Sequence, residues 1–160
     1  METQMAQRIT KLRTGAGSSV RFLLAGEKMY RSADLGGFIA RYSALAPLND
    51  PALFRKGKVV DWGAAIGWPG GLDIGVRTLV RLSEEQAAFS NEDFRAWQSA
   101  ARLSNGEAAN VLGVSLATVK NYRSYATIPA AISIACRAMQ NDPAVLAAHF
   151  SPRQPRSKAA

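Results

Sequence analysis

The stretch from Ser104 to Arg123 carries Ser104, Asn105, Ser115, Thr118, Lys120, Asn121 and Arg123 among its polar side chains. They are hydroxyls, amides and cations, groups that recognise a polar or anionic partner by donating and accepting hydrogen bonds. The chain offers little with which to turn such groups into a catalyst. Its one histidine is His149 and its one cysteine is Cys136, which excludes a multi-cysteine zinc site and an internal disulfide framework, and no motif pairs a nucleophile with the histidine. There is no glycine-rich phosphate loop. Asp61 and Asp73 could form an acid–base pair, and convergence with Asp34 in a polar pocket would revive an enzyme. Asp73 is better placed to open the helix expected after it. The expectation is recognition, with no enzymatic activity, no cofactor and no metal.

The elements that must position these residues are helices. From Asn91 onward the pattern is helical, with Asn91 as the expected cap of a helix that carries Phe94, Trp97 and Ala101 on one face. Ser104-Asn-Gly-Glu107 is a capping box, in which a hydroxyl and a carboxylate satisfy unpaired N–H groups of a first turn. Two helices joined by a three-residue turn need a small residue where they meet, a glycine able to turn left-handed, and apolar residues facing inward. Ala109 and Gly113 meet the first two needs, and Leu112, Val114, Val119 and Tyr122 the third. Ser115 is then a second cap, and Ser115, Leu116, Ala117, Lys120 and Asn121 are left on the outer face of the second helix. Pro129 with Ile132, Cys136 and Met139 predicts another helix, and Asp142-Pro143 a last short one through Phe150.

On the Ala109–Gly113 spacing, the Leu112-Gly-Val-Ser115 turn and Ile128-Pro129, the stretch from Phe94 to about Met139 resembles the Cro/CI repressor-like helix-turn-helix family, also called the Xre family. The resemblance implies binding of double-stranded DNA through a recognition helix at about 115–125. It implies Lys120 and Asn121 as base readers, Ser115 and Thr118 on base or phosphate, and Ser104, Asn105 and Arg123 on phosphate. This chain departs from the family where many members carry a longer glutamine in place of Asn105. Gly106 weakens the helix beside it. Leu116 and Ala117 are apolar, so they can meet thymine methyls and cannot donate hydrogen bonds.

Residues 1–82 read as a small α+β domain. Strands are expected at about 8–13, 19–25, 28–33, 57–62 and 65–68, forming two hairpins that turn at Gly26 and Gly63. Short helices are expected near Asp34–Tyr42 and after Asp50-Pro51, and a longer one at about 74–82, with Pro69-Gly-Gly breaking the preceding strand. Arg8-Ile-Thr, the Gly26 turn, Asp34-Leu35, Pro47–Phe54 and Ile66-Gly-Trp-Pro-Gly-Gly-Leu-Asp-Ile74 resemble the domain-of-unknown-function 2442 family. That resemblance implies a small α/β domain, sometimes joined to a helix-turn-helix and sometimes encoded beside a toxin-like partner, and no reaction. Residues 83–91 are expected as a linker, 92–150 as an all-α domain of about five helices, and the Pro-rich basic tail 151–160 as disordered. Trp62, Trp68 and Trp97 are expected in the core or an interface.

The composition fits this reading. About half of the 160 residues are hydrophobic, and no apolar run reaches the ~20 residues that span a bilayer. The N-terminus has no apolar leader, so a cytoplasmic protein without a membrane partner is expected. The net charge is +8, and residues 1–90 and 91–160 each contribute +4, from 12 against 8 and 8 against 4 charged side chains. A cationic surface favours a polyanion through counterion release. One short recognition helix reads few base pairs, so a homodimeric repressor or autoregulator is the leading expectation. The alternative is an antitoxin that holds a toxin through residues 1–82 and represses its own operon.

Overall fold

In the computed structural model, which describes residues 6–152, Val20, Phe22 and Leu24 sit at alternate positions of strand β2, Ser19–Leu24, and all three are buried. Period-two burial of this kind puts one face of a sheet on a core. β2 is the middle of a three-stranded antiparallel sheet, between β1, Ile9–Thr14, and β3, Arg31–Asp34. The chain turns between β2 and β3 at Gly26, whose φ is 82°. β1 carries a bulge between Ile9 and Lys11. Helix α1, Gly36–Arg41, a 3₁₀ segment, Ser43–Asn49, and α2, Pro51–Phe54, follow. Asp50 caps α2 by accepting from Ala52 N–H at 3.0 Å.

A second three-stranded antiparallel sheet has the order β4, Lys58–Val60, β5, Ala65–Trp68, and β6, Leu72–Gly75. The sequence reading placed a break and the start of a helix where β6 stands. Gly70 and Gly71, at φ 94° and 80°, reverse the chain instead of ending the sheet. Ile74 then turns into the core, and Asp73 is exposed in mid-strand, so it opens no helix. Helix α3, Val76–Gln86, starts later and runs further than the expected 74–82, which takes residues 83–86 from the expected linker. Its inward face continues through Ser83, and the Gln86 amide holds Asp34 at both ends, accepting from its N–H at 2.7 Å and donating to its carbonyl at 2.8 Å.

One unit of the fold ends at Ala87, and its core gathers both sheets, α1, α2 and α3 around Phe22, Leu35, Ile39, Phe54, Ile66 and Leu79. Each such side chain contributes about 1.5–3 kcal/mol of burial. Trp68 packs against Phe54, and its indole N–H donates to the Phe54 carbonyl at 2.8 Å. Trp62 departs from expectation. It is 97% exposed, because Asp61, Trp62 and Gly63 form a left-handed run after β4 at φ 50°, 57° and 94°. β4 therefore stops at Val60. Each non-glycine in that conformation costs about 1–3 kcal/mol.

The second unit begins at Ala88 and is built from α4, Asn91–Ala100, α5, Asn105–Leu112, α6, Leu116–Tyr122, α7, Ala130–Asn141, and α8, Pro143–His149. Phe94, Trp97, Ala108, Val119, Tyr122 and Cys136 form its core. Ser90, not Asn91, caps α4, in a reciprocal capping box with Asp93. Among the described residues no helix is long and apolar enough to cross a membrane. The expected tail lies, beyond Pro152, outside the described residues.

Candidate functional site

Both ends of the α5–turn–α6 unit are fixed by side chains that the sequence singles out. Ser104 Oγ accepts from Glu107 N–H at 3.2 Å, and Glu107 accepts from Ser104 N–H at 2.8 Å, closing the start of α5. Gly113 ends α5 at φ 67°, and Val114 N–H bonds back to the Ala109 carbonyl at 3.0 Å. This pattern satisfies carbonyls at a helix end that would otherwise be unpaired. Ser115 then caps α6, accepting from Thr118 N–H at 3.1 Å, with the two hydroxyls 2.8 Å apart.

α6 is held from one side. Val119 and Tyr122 are buried, with the Tyr122 ring edge-on to Phe94. Ala117 and Lys120 are exposed, Leu116 is 47% exposed, and Asn121 and Thr118 are half-buried. The Asn121 amide and the Lys120 ammonium make no hydrogen bond or ion pair among the described residues. They are thus available to an external partner. Ser104, Asn105, Leu116 and Lys120 share the lining of a groove of about 760 Å³ with Asn110, and Ser151 and Pro152 form part of its wall.

Asn105 and Arg123 are partly committed to the protein itself. Gln98, buried on α4, donates through Nε2 to Asn105 Oδ1 at 2.9 Å and to the Leu103 carbonyl at 3.0 Å. Its Oε1 accepts from Arg123 at 2.8 Å. One amide thereby ties the start of α5 to the end of α6. Three further bonds act at the same end. Asn91 Nδ2 donates to the carbonyls of Tyr122 and Ala126 at 2.8 and 2.7 Å, and Arg95 donates to the Arg123 carbonyl. Gln98, Asn91 and Arg95 are missing from the sequence reading of the site. For Gln98 a signal existed, since it lies four residues after Phe94 and next to Trp97, on the inward face of an amphipathic helix.

Of the residues weighed for chemistry, Asp61 and Asp73 both line a groove over the second sheet, which Asp34 does not line, and neither Cys136 nor His149 lines the groove beside α6. Cys136 is fully buried on α7, and His149 is exposed at the end of α8. No group of three or more histidine, cysteine or carboxylate side chains placed to hold a metal occurs among the described residues.

No family model and no curated protein matches the chain. Among solved structures, a crystal structure from Nitrosomonas europaea ATCC 19718, named as a putative DNA binding protein, aligns over 96% of this chain and 96% of its own. The identity is 25% and the TM-score 0.48.

Proposed function

We propose that this chain is a sequence-specific DNA-binding transcriptional regulator, a dimeric repressor or autoregulator that reads the major groove with α6. The observation that carries this reading is the two-sided character of α6. Val119 and Tyr122 anchor it, while Leu116, Ala117, Lys120 and Asn121 are turned outward or left without partners. Asn121 and Lys120 are the base readers. An amide matches the paired donor and acceptor of adenine, and an ammonium the acceptors of guanine. Leu116 and Ala117 contact thymine methyls. Ser104, Ser115, Thr118 and the unused N–H groups of Asn105 and Arg123 contact phosphate or flanking base edges, and the +8 charge supplies the sequence-independent part of the attraction.

Seven residues at 1.5 Å each give α6 a length of about 10 Å, roughly three base pairs. Two half-sites are needed for useful specificity. The test is selection from a random duplex library with the full chain, followed by titration of the enriched duplex. Lys120→Ala and Asn121→Ala are each expected to weaken the enriched duplex by about 1–3 kcal/mol and scrambled duplex far less. Failure of the wild type to enrich any sequence, or unchanged affinity in both variants, overturns the reading.

A further inference from the structure

Beside the exposed Trp62, the unit that ends at Ala87 carries a groove of about 530 Å³ over the second sheet. The groove arises from strand register. Lys58 pairs with Gly67 and Gly67 with Asp73, so one row across β4, β5 and β6 reads cation, no side chain, carboxylate. A Cβ on Gly67 would come within 2.9 Å of Val60 Cγ1, so only glycine leaves this trough open. Lys56 and Asp61 add a second charge of each sign to the lining. None of these four side chains has an ion-pair or hydrogen-bond partner among the described residues.

Trp62 is presented rather than displaced. Its left-handed loop is pinned, because Gly63 packs so tightly that a Cβ there would lie 2.5 Å from the Ile9 carbonyl oxygen. Ala64 N–H also bonds back across the loop to the Asp61 carbonyl at 3.0 Å. Backbone held in an unfavourable region in order to aim a large aromatic into solvent points to a recognition role. We propose that this face pairs two copies of the chain about a two-fold axis, with Trp62 of each copy seated in the groove of the other. Lys58 of each copy then faces Asp73 of the second.

Charge selects this occupant. A two-fold contact must be complementary to itself, and a groove with two lysines and two aspartates can meet its own image with opposite signs in register. A chain of net charge +8 repels its copies elsewhere, which favours contact at a locally neutral patch. A drug-sized molecule would also fill a cavity of this size, but the Trp62 indole is the large apolar group that the same unit presents to solvent, next in the chain to the lining residue Asp61. The inference deepens the dimeric reading above by placing the contact in the first unit, and it is tested without DNA.

Sedimentation of the full chain over a concentration series is expected to show a dimer whose Kd rises at least tenfold in Trp62→Ala. Trp62→Gly relieves the left-handed backbone, so its dilute monomer should melt no lower than wild type while dimerising as poorly as Trp62→Ala. Lys58→Glu and Asp73→Lys should each fail to self-associate and should form a heterodimer when mixed. A chain monomeric throughout the series, a dimer unaffected by Trp62→Ala, or reversal variants that do not pair when mixed overturns the proposal. If duplex selection succeeds while any of these occurs, only this surface falls.

Discussion

Gln98 makes three hydrogen bonds from a position that is 4% exposed, and its partners are the Leu103 carbonyl, Asn105 and Arg123. Replacing it with leucine keeps the bulk and strands those groups near the core. The expected loss is about 1–3 kcal/mol of stability in urea unfolding, with affinity for the selected duplex falling as well because Arg123 is released. Unchanged unfolding would show that the amide contributes nothing net. Cys136 gives a chemical test of burial. Desolvation pushes its thiol from an ordinary 9.0 up to about 12, with Arg137 opposing weakly. The native thiol should therefore resist iodoacetamide at pH 8 and react once the chain is unfolded. On the same account, this thiol's contribution to stability is constant below pH 9 and declines between 9 and about 12, where the unfolded state loses the proton first. Rapid alkylation of folded protein would contradict the buried placement.

The two glycines of the α5–α6 unit do opposite things. Gly113 takes φ 67° at the turn with nothing within 4 Å of a built Cβ, so Gly113→Ala costs only backbone strain, about 1–2 kcal/mol. Gly106 lies inside α5 with open space beside it and no left-handed φ, so Gly106→Ala should stabilise by about 0.4–1 kcal/mol. Paired denaturation curves of the two variants check both signs. These local signals are the ones a sequence displays. The capping box at Ser104, the cap at Ser115 and the turn at Gly113 are each written within five residues. β6 was not legible, because Pro69-Gly70-Gly71 reads equally as a strand's end or a hairpin's turn, and only pairing with β5 decides. Trp62 misled for a related reason. Its type favours a core, and its exposure follows from a backbone twist at Asp61–Gly63 that no residue pattern announces.

At the scale of the molecule, the described residues hold two hydrophobic cores with no residue in common, one on each side of the division after Ala87. A fragment of residues 88–160 should accordingly keep its helical circular dichroism and melt cooperatively, while losing self-association if dimers form through the other unit. A fragment without a cooperative transition would mean that the second core is too small alone. The site was readable from sequence on its outer side and opaque on its inner one. Lys120 and Asn121 follow from helical period, but the clamp of Gln98, Asn91 and Arg95 joins residues 25 to 35 positions apart or reaches across a helix start. That clamp has an engineering consequence. The side-chain hydrogen bonds that clamp the end of α6 come from α4, and the side chains at positions 116, 117, 120 and 121 make no hydrogen bond or ion pair among the described residues. The outer four residues form a replaceable alphabet on a fixed carrier, so a library varied there alone should yield proteins that fold alike and differ in what they recognise.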